Sequence, residues 1–243
     1  MNVLRACEES QAVCKAFREK GHQAFSCDIL PCSGDHPEWH IQGDVLHILN
    51  PHMCWKPWEE YGYGIQFETM DGKYHFIPNR WDLIIAHPPC TYLTNSGNRW
   101  FNVDRYGQEA IDRHKKRKEA IIFFMAIANA DCERIVIENP IGHMSKAWRK
   151  PDQIIQPWQF ALSEEENTIK STCLWLQGVP ALKPLHTEQP EIKYFTWYDE
   201  KAGRTKKQSL WYYQTRCLPA EEKAKAASKT FPGIAKAMTE QWG

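Results

Sequence analysis

The sequence predicts an α/β protein with a mostly parallel sheet, helices on both faces and small β-hairpin insertions. Three observations predict it. Short apolar runs alternate with amphipathic stretches from the first residues onward. Carboxylates and one thiol recur where those runs stop. Two aromatic stretches with turn-forming residues interrupt the alternation.

Taken in order, Val3 to Ala6 is the first apolar run. SQAVCKAFREKG then places Ala12, Val13, Ala16 and Phe17 on one helical face, and Gly21 stops the helix. HQAFSCDI reads as a second strand ending at Asp28. A strand, helix and strand of this length imply a parallel pair with a right-handed crossover. HIQGDVLHIL, 40–49, adds a third element whose turn carries Gly43 and Asp44. Residues 50–80 read as an insertion on the domain, in which YGIQFETMDGKYHFI is a hairpin turning at Asp71-Gly72. WDLIIA, 81–86, is the next buried strand. KEAIIFFMAIANA, 118–130, is apolar nearly all round and reads as a buried helix. ERIVIENP, 133–140, and TCLWL, 172–176, are further strands. Between about 190 and 216, YFTWY and LWYY suggest a second hairpin. The tail holds two helical patches broken by Pro232-Gly233.

The 243 residues read as a single domain, long enough to bury a sizeable core. Hydrophobic residues at 42% and charged residues at 25% fit a soluble globular protein. No run of about 18 apolar residues occurs, so no membrane span is expected. The start, MNVLRACEES, lacks the apolar centre of a secretory signal, and a cytoplasmic location is expected. Nine cysteines, an odd count without a CxxC pair, support neither a disulfide framework nor a zinc ribbon, so no metal is expected. Thirty basic residues balance 30 acidic ones, and bulk charge gives no nucleic-acid signal. The basic runs RHKKRK, 113–118, and KAGRTKK, 201–207, read equally well as solvated surface or as contacts.

In open parallel sheets ligands bind beyond the carboxyl ends of the strands. The loop Cys7-Glu8-Glu9-Ser10, Asp28, Asp44, Cys90 and Glu138 all fall at such ends. A dinucleotide site wants glycines in the first loop, and this loop has none. Its two carboxylates would repel a phosphate. A cationic cofactor without phosphate escapes that repulsion, and S-adenosylmethionine, a sulfonium, is one. Asp28 would accept from ribose hydroxyls and Asp44 from an adenine amine. Each acid alone reads as a solvated loop residue; their joint placement at successive strand ends argues for binding.

Cys90 follows Pro88-Pro89 at a strand exit. Two prolines fix φ twice and hold the next residue in a narrow range of directions, which suits a nucleophile that must meet one carbon atom. A lone cysteine is otherwise read as a buried structural thiol. Glu138 ends the run IVIENP. A carboxyl in apolar company can, when neutral, donate a hydrogen bond to a ring nitrogen. Read otherwise, it is a capping or sheet-edge carboxylate. Together the two would form a nucleophile and acid pair for an electron-poor heterocycle.

At these residues the chain resembles the cytosine-C5 DNA methyltransferase family. The family's Pro-Pro-Cys motif matches Pro88-Pro89-Cys90, and its Glu-Asn-Val motif matches Glu138-Asn139 with Pro140 in place of valine. The opening strand, helix and strand match the family's cofactor region, and ASKTFPGIAKAM, 227–238, is similar to its last motif. ACE, AHPPCTYL, ENPI and TCLWL are similar to stretches of small bacteriophage-encoded methyltransferases. The resemblance implies a Rossmann-like S-adenosylmethionine-dependent methyltransferase fold. It implies catalysis by Cys90, Pro89, Glu138 and Asn139, with Cys90 attacking C6 of cytosine and Glu138 bonding N3. It implies a cofactor site of Ala6, Cys7, Glu8, Glu9 and Ser10, then Asp28 with Ile29, Asp44 with Val45, and Pro88 and Thr230. Residues 229–243 would be a helix returning to that site. A phage-encoded chain would work in the host cytoplasm, and a monomer is expected.

The chain also departs from the family. Ala6-Cys7-Glu8 stands where Phe-x-Gly-x-Gly is usual, and no Gln-x-Arg-x-Arg motif occurs, for which Lys170 is a weak substitute. A reduced target-recognition region at 185–228 leaves Arg204, Lys206, Lys207 and Arg216 to contact phosphates. Trp211, Tyr212 or Tyr213 would stack on bases, or are core. The implied partner is DNA, single-stranded or read with weak specificity. Two other readings stand: a pyrimidine-C5 methyltransferase acting on a nucleotide or RNA, and a non-catalytic DNA- or ligand-binding protein of the same fold.

Overall fold

The first apolar run folds as β1 (Asn2–Ala6), and the amphipathic stretch after it as α1 (Ala12–Glu19), followed by β2 (Gln23–Asp28) and β3 (His40–Gln42). This is a computed structural model that describes residues 1–54 and 62–243. The expected third element is short: β3 gives way at once to a 3-10 turn over Val45–Ile48, which the Asp44 side chain caps. Next come β4 (His52–Cys54), β5 (Gly62–Glu68) and β6 (Tyr74–Pro78), an antiparallel sheet of three strands. The β5–β6 hairpin turns through Gly72 at φ 81°, where a glycine carries no steric penalty. The part of the 50–80 insertion over residues 55–61 lies outside the described residues.

The chain continues with β7 (Leu83–Ala86), α2 (Val103–Ala128), β8 (Ile135–Pro140), α3 (Met144–Ala147), β9 (Gln153–Ile155) and β10 (Thr172–Gln177). It ends with β11 (Tyr194–Asp199), β12 (Arg204–Ser209), α4 (Leu210–Cys217), α5 (Ala220–Ser228) and α6 (Pro232–Trp242). Seven strands form one mixed sheet in the order β3-β2-β1-β7-β8-β10-β9. The first five run parallel, and β10 runs against both its neighbours. The molecule is therefore α/β, with a mostly parallel sheet. Chain order reverses between β1 and β7, so the crevice at their carboxyl ends is the switch point where such sheets bind ligands.

Each sheet face is covered by a different kind of layer. On one, Val13, Cys14 and Phe17 of α1 and Ile234, Met238 and Trp242 of α6 pack on Val3, Leu83, Ile85 and Val136. On the other, Phe124 and Ile127 of α2 share the cover with Ile65, Phe67 and Ile77 of the small sheet. Phe67 meets Phe25 of β2 at 4.9 Å and Trp81 at 5.7 Å between ring centroids. The inserted sheet thus stands in a layer usually filled by a helix.

Two readings need correction. The 118–130 stretch is half of α2 and is not buried all round: Phe124, Ile127 and Ala128 face the core, while Ile122 is 69% exposed. LWYY is not a strand but the first turn of α4, capped by the Ser209 hydroxyl, and the second hairpin pairs YFTWYD with RTKKQS. Among the described residues no helix is long and apolar enough to cross a membrane, and no group of three or more His, Cys, Asp or Glu side chains could hold a metal ion.

Candidate active site

Parallel strands put the ends of β1, β2, β3, β7 and β8 on one edge of the sheet. The first loop enters that edge through Cys7 in the left-handed region, at φ 59°, and Gln11 at 57°. Glu8 is buried, and its carboxylate accepts the Val13 and Cys14 amides of α1 at 3.0 and 3.3 Å. It also lies 3.6 Å from Arg5 Nε. Burial pushes the Glu8 carboxyl up; Arg5 and the two amides oppose that shift. A helix N-terminus of this kind is where a pyrophosphate would otherwise sit. Here a carboxylate of the chain fills it, which removes the dinucleotide cofactors. Glu9 is also turned to the chain, taking the Ser33 hydroxyl. Neither expected cofactor acid of this loop is therefore open, whereas Cys7 and Ser10 are half-buried.

Asp28 and Asp44 stay available. Asp28 accepts the Leu30 amide at 2.9 Å, and burial raises its carboxyl. Asp44 accepts the Leu46 amide at 3.0 Å and is otherwise exposed. Both sit close to Cys7, whose thiol burial raises to about 12, with Asp28 and Asp44 adding to the rise. Ile29, beside Asp28, is 72% exposed and offers apolar surface to a flat ring. Val45 is buried beneath. Acceptors for hydroxyls and an amine, an apolar platform and no vacant phosphate seat fit S-adenosylmethionine.

The second half of the site is a pair of stitched loops. The buried Asn139 donates from Nδ2 to the Pro88 carbonyl at 2.7 Å. Beyond it, the His143 amide donates to the Leu93 carbonyl at 2.6 Å, and Thr94 bridges Gly142. Gly142 is required, since a Cβ there would meet the Leu93 carbonyl oxygen at 2.1 Å. The Leu93 and Thr94 amides both donate to the Cys90 carbonyl at 2.9 Å, closing a turn on the thiol. Pro-Pro-Cys and Glu-Asn-Pro-Ile-Gly are therefore one structural unit.

Glu138 is 3% exposed at the end of β8. Its Oε1 is 3.7 Å from His87 Nδ1, its Oε2 is 3.9 Å from an Arg5 guanidinium nitrogen, and Oε2 has no hydrogen-bond partner. Burial lowers His87 to about 4, so the ring is neutral at pH 7. Burial raises the half-buried Cys90 thiol; its own backbone amide and the Lys170 charge oppose the rise. The Lys170 ammonium is itself lowered by burial and sustained by Glu138 and Cys90. One cation thus couples to both members of the pair. Lys170 stands two residues before Thr172, which pairs with Pro140 at the end of β8.

Sequence reading missed Arg5. It is 1% exposed inside the sheet and touches Glu8, Glu138 and the Thr230 hydroxyl, the last at 3.3 Å. An arginine in an otherwise apolar strand run is the signal that could have found it. His87, next to the prolines, was also missed. Of the expected nucleic-acid residues, Lys170 precedes β10 and the other four lie on the hairpin and α4: Arg204, Lys207 and Arg216 are exposed, and Lys206 pairs with Asp199. Tyr213 stacks on Phe195 at 3.7 Å and Trp211 packs on Phe231, so both are structural, whereas Tyr212 is open. A cavity of about 440 Å³ along α1, lined by Lys15, Arg18, His22, His36 and Trp39, contains none of these groups.

Fold and site together define an α/β protein whose mostly parallel sheet gathers its strand ends at a switch point. The sequence matches no model of a known protein family and no curated protein.

Proposed function

We propose that the chain is an S-adenosylmethionine-dependent DNA (cytosine-5-)-methyltransferase with a Rossmann-like methyltransferase fold. The observation that carries this reading is the buried Glu138 Oε2, which lacks a hydrogen-bond partner, on a strand end that Asn139 ties to the proline-directed Cys90 loop. A buried carboxyl oxygen left unpaired costs about 1–3 kcal/mol, a cost that a substrate donor removes. The N3 position of a pyrimidine, once protonated, is such a donor.

The chain's residues divide the work. Cys90 as thiolate adds to C6, forming a carbon–sulfur bond, and the displaced ring electrons are held at N3 by the Glu138 proton. C5 thereby becomes the nucleophilic carbon. Asp28, Ile29 and Asp44 would hold S-adenosylmethionine, whose sulfonium would give its methyl group to C5 and leave as the thioether. A solvent water takes the C5 proton, the electrons of that C–H bond expel Cys90 as thiolate, and N3 returns its proton to Glu138. Cys90 rests as a thiol at pH 7 because of burial, so the Lys170 charge supports its ionisation when substrate arrives. A base in a duplex must leave the stack to be reached.

Mass spectrometry of DNA incubated with the protein and methyl-labelled S-adenosylmethionine tests the reading. Label on C5 of cytosine is expected; label on an exocyclic nitrogen, or none in DNA, overturns it.

A further inference from the structure

A second cleft, of about 420 Å³, opens between the start of β10 and the β11–β12 hairpin. Its walls are Lys170 and Ser171 on one side, Tyr194 and Gln208 of the hairpin, and Tyr212 of α4. Of its lining, the methyl-transfer chemistry uses Lys170 alone. Its volume is in the range of sites that hold a nucleotide-sized ligand.

Three features give its ligand a character. Tyr212 is 46% exposed and offers its phenol ring to a planar partner, while Tyr194, 38% exposed, carries the Lys207 ammonium over its ring at 4.6 Å. Lys170 leans on Trp211 and Phe231 at 5.8 and 5.7 Å, and among the described residues no carboxylate lies within ion-pair distance of its ammonium. The surrounding segment 193–217 carries six basic residues and two acidic ones in a chain whose net charge is zero. An open aromatic face beside a cation is the chemistry of a base stacked next to its phosphate. Stacking on a side chain needs a base that is not already stacked in a duplex.

We propose that this cleft holds the nucleotide next to the reactive cytosine in single-stranded DNA, its phosphodiester on Lys170 and its base on Tyr212. The inference rests on the reading that the substrate is a polynucleotide, and deepens it by naming the strand state. Lys170 and Ser171 lead into Thr172, which pairs with Pro140, so the cleft adjoins the end of β8 that carries Glu138 and Asn139. Its ligand would then be one nucleotide of the same strand.

Fluorescence anisotropy with labelled cytosine-containing oligonucleotides tests this, using the full chain without S-adenosylmethionine. Single strands are expected to bind at least about tenfold more tightly than the matching duplex. Lys170→Met should weaken single-strand binding about tenfold and reduce the slope of log affinity against log salt by about 0.7, one phosphate. Tyr212→Ala should weaken it at least about fivefold without changing the slope. Tyr212 is exposed, so that variant folds even if the Lys170 change disturbs packing. Equal binding of duplex and single strand, or unchanged affinity in both variants, overturns the proposal. Because no methyl transfer is involved, tight single-strand binding with inactive protein would sink the catalytic reading and leave this one standing.

Discussion

A buried arginine is the residue on which most of the site depends. Arg5 is the positive charge beside Glu8 and Glu138, and removing one partner of a buried ionic cluster leaves the others uncompensated. Arg5→Leu is expected to destabilise the fold by about 3–5 kcal/mol in denaturant titration, with Arg5→Lys recovering part of it. His87 gives a pH signature. Its folded value lies near 4 and its ordinary value is 6.5, so the unfolded chain binds the extra proton between them. Stability from this group is complete above about pH 6.5 and is lost as pH falls toward 4, by about 3 kcal/mol. Thermal melts of wild type and His87→Gln over that range check it; the variant should show the shallower slope. Cys90 and Glu138 could be singled out in the sequence because proline and carboxylate leave marks at strand ends. Arg5 was not, since a single basic residue in a strand reads as its solvent face until the third dimension shows what covers it.

Among elements, the stitched loops after β7 and β8 set the geometry of Cys90. Asn139→Ala removes one hydrogen bond and leaves the Pro88 carbonyl buried without it, at about 1–3 kcal/mol. Methyl transfer should fall further than stability does, because the Cys90 loop loses its register with Glu138; kcat and denaturation midpoints measured together separate the two effects. Gly142→Ala should be worse in both respects, given the 2.1 Å approach to the Leu93 carbonyl. The strands of the large sheet were readable from apolar runs, except β9, whose three residues are too few for a period to register. LWYY misled because aromatic residues favour strands, while the Ser209 cap started a helix there. The 118–130 stretch misled because its apolar residues exceed the face α2 can bury, leaving Ile122 outside.

At the scale of the molecule, the sheet order brings five strand ends to one edge and reverses between β1 and β7. The α/β class followed from alternation alone. The role of the 50–80 insertion as a core layer did not, because Phe67 and Ile65 declare their partners only once Phe25 and Trp81 are packed against them. Ligand linkage reports on the whole fold. S-adenosylhomocysteine at about 100 times its Kd should stabilise the protein by about 2.7 kcal/mol, seen as a rise in Tm, whereas NAD should leave Tm unchanged because Glu8 already occupies the α1 amides.

The most direct measurement is of the carbon–sulfur bond itself. A single-stranded oligonucleotide whose cytosines carry fluorine at C5 cannot lose that substituent as a proton, so the adduct with the nucleophile should persist. Intact-protein mass spectrometry after incubation with S-adenosylmethionine should then show one oligonucleotide added, mapped by proteolysis to Cys90 and absent from Cys90→Ser. An adduct on another cysteine, or none while cytosine C5 is still methylated, would contradict the role given to Cys90.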